Sequence, residues 1–298
     1  MKKLFIILFL FAGGCSTQQV QKEKIDFDKP NKESDTVYDF SHGIVGYNFE
    51  KIVSEDGEIS FKYQISNNGK EVDLGIVFLI DGLPQKIKID REEVLMFTKH
   101  FNSMESEEIE VKLNVDSELY PQNSNLNAIA IINPTMKIET PQQYGVNHYA
   151  SFSPTMKVEL GQGQKSDIVR KHEEGLVFMD LAEEDKVKYQ HHGENMLNTE
   201  VYIEVAPKVQ EGVDTIKKQE SIPIKILGAP GFYRVIIAED NILSDLFVAE
   251  VKSGKKSELE IKRDFENVQN VYFVVIPIDE QDTHSYVMPG QSSKWVLE

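Results

Sequence analysis

Phe61-Lys62-Tyr63-Gln64-Ile65-Ser66-Asn67-Asn68-Gly69 sets three large apolar side chains two residues apart and then stops at a turn. A period of two puts Phe61, Tyr63 and Ile65 on one side of an extended chain and Lys62 and Gln64 on the other, so the stretch is a strand with one buried face. Asn-Asn-Gly suits a turn with positive φ. An apolar run from Ile76 to Ile80 follows and ends at Asp81-Gly82, a second turn signal. Ile109, Val111, Leu113 and Val115 then alternate with Glu110, Lys112 and Asn114, and Ala128 to Ile132 suits a fully buried strand.

The second half repeats this style. Val201, Ile203 and Val205 alternate with Tyr202 and Glu204. Ile222, Ile224 and Ile226 alternate with Pro223 and Lys225, and Tyr233, Val235 and Ile237 follow the turn Gly228-Ala229-Pro230-Gly231. Leu259 and Ile261 continue the alternation, and Tyr272 to Ile276 is a buried run. Helical signals are few. Asp90 to Phe97 offers an N-cap with Glu93 as the answering half of a capping box, and Met179 to Tyr189 has weak helical periodicity.

Short strands with turns about every ten residues, and no alternation of strand with helix, predict an all-β chain of antiparallel sandwiches. The pattern resembles the immunoglobulin-like modules of bacterial surface proteins, in which an Asn-Asn-Gly turn precedes a strand ending in Asp-Gly, as at residues 67 to 82. The resemblance implies two immunoglobulin-like β-sandwich domains, residues 37–162 and 163–298, meeting near Gly161-Gln162-Gly163-Gln164. Two acidic modules of this kind should share a small interface and fold separately.

Two internal repeats accompany that division. Glu108-Ile109-Glu110-Val111-Lys112 matches Glu258-Leu259-Glu260-Ile261-Lys262, and each precedes an apolar run. Alternating Glu and Lys on any solvated strand gives the same string, so the match fits both a repeated module and composition alone. Pro134-Thr135-Met136-Lys137-Ile138-Glu139 matches Pro154-Thr155-Met156-Lys157-Val158-Glu159, and predicts two edge strands beside a loop, where proline avoids unwanted pairing.

The N-terminus speaks to location. Lys2 and Lys3 precede an apolar run from Leu4 to Phe11, and the small residues Ala12, Gly13 and Gly14 stand before Cys15. Eight apolar residues rise about 12 Å as a helix, far short of a roughly 30 Å hydrocarbon core, so the segment reads as a cleaved export signal. Ala12-Gly13-Gly14-Cys15 resembles the lipobox of bacterial lipoproteins, whose cysteine receives a lipid after cleavage. That resemblance implies a lipoprotein signal peptide at residues 1–14, lipidation such as palmitate on Cys15, and a membrane anchor at the extracytoplasmic face of a bacterial cell membrane. An ordinary secretory signal is the alternative, and would leave Cys15 an exposed thiol. No second cysteine exists, so no internal disulfide forms. Residues 15–36 hold few apolar groups and predict a flexible tether reaching on the order of 25 Å.

The net charge is -17, and loss of Lys2 and Lys3 with the signal makes it two units more negative. Both halves are acidic. Such a surface keeps secreted domains soluble and repels phosphate backbones, which argues against nucleic-acid binding.

Catalytic patterns are missing from the sequence. No Gly-x-Ser-x-Gly elbow, P-loop or dinucleotide fingerprint is present, so the chain reads as non-enzymatic and without a cofactor. Acidic pairs such as Glu107-Glu108, Glu173-Glu174 and Asp279-Glu280 fit a solvated surface, although paired carboxylates are what a wall hydrolase would use. One metal cluster stands out. His191, His192, Glu194 and Met196 lie close together and His284 is followed by Met288, imidazole and thioether ligands that suit copper outside the cell. His191 and His192 share an ion only if Gly193 marks a turn. Glu55, Asp56 and Glu58 around Gly57 give a weaker oxygen-ligand candidate for calcium. Trp295 predicts core packing.

Two functions follow as expectations. The first is a lipid-anchored surface module that binds a protein, peptide or cell-wall partner through strand edges or end loops. The second is an extracytoplasmic metal-binding or metal-delivery lipoprotein built on the histidine cluster.

Overall fold

Phe61 and its neighbours do form the expected strand. In the computed structural model, Glu58–Asn67 buries Ile59, Phe61, Tyr63 and Ile65, exposes Ser60, Lys62 and Gln64, and pairs antiparallel with Glu105–Asn114 along its whole length. The structure describes residues 38–46, 51–55, 57–89, 92–116, 119–140, 150–160, 176–191, 194–205, 215–216, 221–278 and 287–297. The signal, the tether with Cys15 and the boundary near Gly161 lie outside them. Among the described residues the chain is nearly all β, with one α-helix, Glu183–Lys188.

The strand ends as the sequence suggests, by a different device. Asn67 turns the chain with its side chain, accepting from Gly69 N at 3.1 Å and donating to Lys70 O and Asn102 O at 2.9 Å each. No residue of that turn is left-handed. Asp81 and Gly82, with φ of 45° and 77°, close a two-residue hairpin between Val72–Ile80 and Leu83–Pro84. Asp240 and Asn241, with φ of 48° and 68°, do the same between Gly231–Glu239 and Ile242–Val251.

Among the described residues, four larger sheets result, two for each half, beside the two-stranded pair Gln190–His191 with Glu194–Asn195. The outer sheet of the first half runs Phe40–Ile44, Glu58–Asn67, Glu105–Asn114, Ile87–Ile89, Glu92–Val94. Its inner sheet runs Ile52–Val53, Met156–Glu159, Asn123–Ile132, Val72–Ile80, with Phe97–Phe101 along Val72–Ile80. Edge-on contacts of Phe61 and Tyr63 with Phe78, centroids 5.5 and 4.9 Å apart, join the two sheets across one core.

The second half repeats this order except at one outer edge, where Val177–Asp180, which precedes Val201–Val205 in the chain, takes the place that Ile87–Ile89 holds in the first half. Its outer sheet runs Val201–Val205, Ile222–Gly228, Lys255–Ile261, Val177–Asp180, and its inner sheet Thr215–Ile216, Trp295–Leu297, Asn270–Pro277, Gly231–Glu239, Ile242–Val251. Even the parallel pairs correspond, Ile52–Val53 with Met156–Glu159 and Thr215–Ile216 with Trp295–Leu297. The strings at Glu108 and Glu258 begin on corresponding strands, and Trp295 is packed in the second core.

Three expectations need correction. Glu92–Val94 and Phe97–Phe101 are strands, not part of a helix, and Asp90 lies outside the described residues. The pairing Ile87↔Val94 gives that stretch a sheet to join, which outweighs a local capping pattern. Helix in the 179–189 stretch is confined to Glu183–Lys188, with Met179 in a strand. Met156–Glu159 is a strand, but residues 134 to 139 are not. That segment crosses to the second half, where Ile138 packs on Val296 and both its backbone groups bond the Asn270 side chain, at 2.9 and 2.6 Å.

The continuous apolar runs explain the assembly. On Val72–Ile80, Leu74, Ile76, Phe78 and Ile80 face the first core, while Val77 and Leu79 face away from it. Ile129 and Ile131, Ile236 and Ala238, and Tyr272, Val274 and Ile276 likewise leave their own cores, and together they form a third apolar cluster between the inner sheets. A strand apolar on both faces is covered on both faces. The sandwiches therefore stack as four layers, with this third cluster along the seam between them. Polar links pin the seam. Arg234 Nε donates to Asp81 O at 2.7 Å, Asn125 Nδ2 to Pro277 O at 3.2 Å, Asn241 Nδ2 to Pro134 O at 3.0 Å, and Ala150 N to Gln291 Oε1 at 3.0 Å.

Candidate functional site

The histidine cluster falls on a short hairpin. Gln190–His191 pairs with Glu194–Asn195, placing His191 opposite Glu194 in register. The two-residue connection is His192 and Gly193, which lie outside the described residues, as does His284. Met196 opens the short 3-10 helix that follows, and its carbonyl accepts from Glu200 N at 2.9 Å. Glu200 in turn forms a parallel bridge with Met288. The backbone thus brings Met288, remote in sequence, beside the end of the Met196 segment. Among the described residues no group of three or more His, Cys, Asp or Glu side chains is arranged to hold a metal. At the weaker calcium candidate, Glu55 and Glu58 bond each other's backbone at 2.9 Å around Gly57, whose φ is 81°. Asp56 lies outside the described residues.

One constellation has no local sequence signal. His42 Nδ1 lies 2.5 Å from the Tyr63 hydroxyl and Nε2 lies 3.0 Å from Ser151 Oγ. A serine on a histidine looks like an activated nucleophile, but the protons run the wrong way. Tyr63 is fully buried, and burial drives its hydroxyl well above the ordinary tyrosine range, so it stays protonated. Its side-chain partner is His42, so its O–H donates to Nδ1. Nε2 then carries the imidazole proton and donates to Ser151. In that tautomer Nε2 cannot take the serine proton, and the trio is a brace from the outer sheet to Ala150–Phe152. Burial lowers the His42 pKa to about 4, against a smaller opposing effect of a backbone hydrogen bond at Ser151.

The seam holds other titratable groups. Burial raises Asp81 to about 6, opposed by the Asn125 amide, Ser124, Arg234 and Lys157. Arg234, 3% exposed, pairs with Asp245 at 2.8 Å and leaves no room for a side chain at Gly82. Lys294 is equally buried; burial lowers it to about 8, and it donates to Asn241 Oδ1 at 3.2 Å over the Tyr272 ring.

The outward face of the second sandwich carries the densest ion network. Glu204 accepts from Lys188 at 2.5 Å and also from Lys225 and Tyr189. Burial opposes its ionisation, but those donors outweigh it and hold its carboxyl below the usual range. Tyr189 stacks near Tyr202, centroids 4.1 Å apart, and Tyr202 donates to Glu200 at 2.5 Å. The outward face of the first sandwich is a simpler ladder, with Lys62 on Glu108 at 2.6 Å and Lys112 on Glu58 at 3.3 Å. The first face is a solvated charge surface, whereas on the second Asp185 of the helix Glu183–Lys188 is buried against Lys225 and Lys256.

No family model and no curated protein matches the sequence. Among solved structures, red sea bream transglutaminase aligns over 88% of this chain and 31% of its own, at 8% identity and a TM-score of 0.21. A tetra-tandem repeat in the extending region of a large adhesion protein aligns over 88% of this chain and 50% of its own, at 9% identity and 0.23. A protein of unknown function from Porphyromonas gingivalis W83 aligns over 85% and 99%, at 11% identity and 0.23. The chain thus spans about a third of the first and half of the second. TM-scores this low bear on neither activity nor partner.

Proposed function

We propose that this chain is a non-enzymatic binding platform, anchored through a lipid on Cys15 at the extracytoplasmic face of a bacterial membrane. The observation that carries the reading is the four-layer stack. Apolar seam residues and cross-seam hydrogen bonds join two sandwiches of largely like strand order into one body. A stiff body on a tether presents its end loops and edges at fixed spacing to a protein, peptide or wall component. The His42 brace supports the same view, because its most enzyme-like geometry is spent on structure. No helix among the described residues is long and apolar enough to cross a membrane.

The test is chemical crosslinking on intact cells. The wild-type chain should capture one envelope component reproducibly, and the Cys15→Ala chain should lose that capture along with its place at the membrane. Capture that is indifferent to the anchor, or no specific capture, contradicts the proposal.

A second reading, metal delivery, draws support from the hairpin that sets His191 opposite Glu194 and from the bridge bringing Met288 to Glu200. Calorimetry of the mature chain with Cu(I), Cu(II), Zn(II) and Ca(II) decides it. Binding no tighter than about 10 μM removes it, since delivery needs affinity beyond surface chelation.

A further inference from the structure

The helix Glu183–Lys188 is attached to the second sandwich in an unusual way. Six residues are too few for a helix to hold itself together in water. Attachment normally comes from an apolar stripe, yet Val187, its one large apolar residue, is 68% exposed. The only buried residue of the helix is Asp185, at 4% exposure.

Asp185 sits in a cradle of two lysines. Lys225 of Ile222–Gly228 donates to its Oδ1 at 2.9 Å, and Lys256 of Lys255–Ile261 lies 3.3 Å from its Oδ2. The same carboxylate accepts from Ala182 N at 3.1 Å, which closes the first turn. Lys188 and Tyr189 then tie the end of the segment to Glu204. Apart from the Tyr189 ring, which stacks near Tyr202, the side-chain links of Asp185, Lys188 and Tyr189 to the sheet are ion pairs or hydrogen bonds to charged groups. Such links weaken with ionic strength, whereas apolar contacts do not.

We propose that the segment Ala182 to Tyr189 is a releasable strap, and that Asp185 is an internal occupant of a two-lysine oxyanion cradle on the outer face. A competing carboxylate or phosphate group takes the cradle and lifts the strap. Lys225 and Lys256 then become available to ligand on a face that is otherwise covered. Because the strap leads directly into the Gln190–Asn195 hairpin and the Met196 segment, its release also frees that end of the sandwich.

Hydrogen exchange of the full chain tests this, read at the amides of residues 183 to 189 and, as an internal control, at Ile224 and Leu259. Raising NaCl from 50 mM to 1 M, or replacing Asp185 by Asn, should speed exchange in the strap at least tenfold and leave the two strand amides protected. Lys225→Met with Lys256→Met should do the same from the opposite side. At matched ionic strength, inorganic phosphate should speed strap exchange severalfold more than chloride. Strap exchange unchanged in Asp185→Asn overturns the strap. Equal effects of phosphate and chloride overturn the cradle.

Discussion

Replacing His42 and, separately, Asp81 should tilt the acid stability of this protein in opposite directions. His42 is ordinarily half-protonated at about 6.5 and is lowered to about 4 when folded. The unfolded chain therefore binds its proton first, and stability present above pH 6.5 is lost as pH falls toward 4. Asp81 is raised from about 3.8 to about 6, so the folded chain binds the proton first and stability is gained as pH falls through 6. Asp81 is fully buried and His42 partly so, and screening by water therefore takes more from the histidine effect than from the aspartate effect. Going from pH 7 to pH 4.5, the linkage relation gives a loss of roughly 2.5 kcal/mol from His42 and a gain of roughly 2 kcal/mol from Asp81. In the wild type the two nearly cancel. Urea unfolding of the mature chain, with Cys15 replaced by Ser for solubility, should be run at both pH values on wild type, His42→Gln and Asp81→Asn. Gln can bridge Tyr63 and Ser151, and Asn tolerates the φ of 45° at position 81. Relative to wild type, acidification should favour His42→Gln by about 2.5 kcal/mol and disfavour Asp81→Asn by about 2 kcal/mol, at constant denaturant slope. Variants that both follow the wild type within about 0.5 kcal/mol would refute the burial account of both groups.

Two further outcomes follow from packing. Ile131→Ala removes a seam side chain and should cost about 2 to 5 kcal/mol, with both halves still melting in one transition; two separate transitions would show that the seam does not couple them. Gly82→Ala should cost at least about 1 kcal/mol, because φ is 77° and the new Cβ would stand 2.8 Å from Arg234 Cβ, while Gly43→Ala, with nothing within 4 Å, should stay within about 0.5 kcal/mol of wild type in a thermal melt.

The fold class was legible because alternation at Phe61, Ile109, Ile203 and Ile224 is a direct consequence of the pleat. The seam was half legible. Ile76 to Ile80, Ala128 to Ile132 and Tyr272 to Ile276 announced strands apolar on both faces, and a two-layer sandwich offers only one apolar face, so a further layer was implied by the runs themselves. The stretch Asp90 to Phe97 misled because a capping pattern is local, whereas the pairing Ile87↔Val94 is a tertiary fact. Residues 134 to 139 copy a true strand, but their partner is the Asn270 side chain, which no repeat reveals. The His42 brace joins residues 21 and 109 positions apart, beyond the reach of any spacing rule. Asp185 ends the acidic run Glu183-Glu184-Asp185, which has the look of any solvated surface, and only its burial between Lys225 and Lys256 sets it apart.

The anchored-platform account is tested most directly by metabolic labelling with a palmitate analogue. Wild-type protein should carry the label and sediment with membranes. Cys15→Ala should carry none and move to the soluble fraction, with its circular dichroism unchanged. Label retained by Cys15→Ala, or wild-type protein that is unlabelled and freely soluble, would contradict the account.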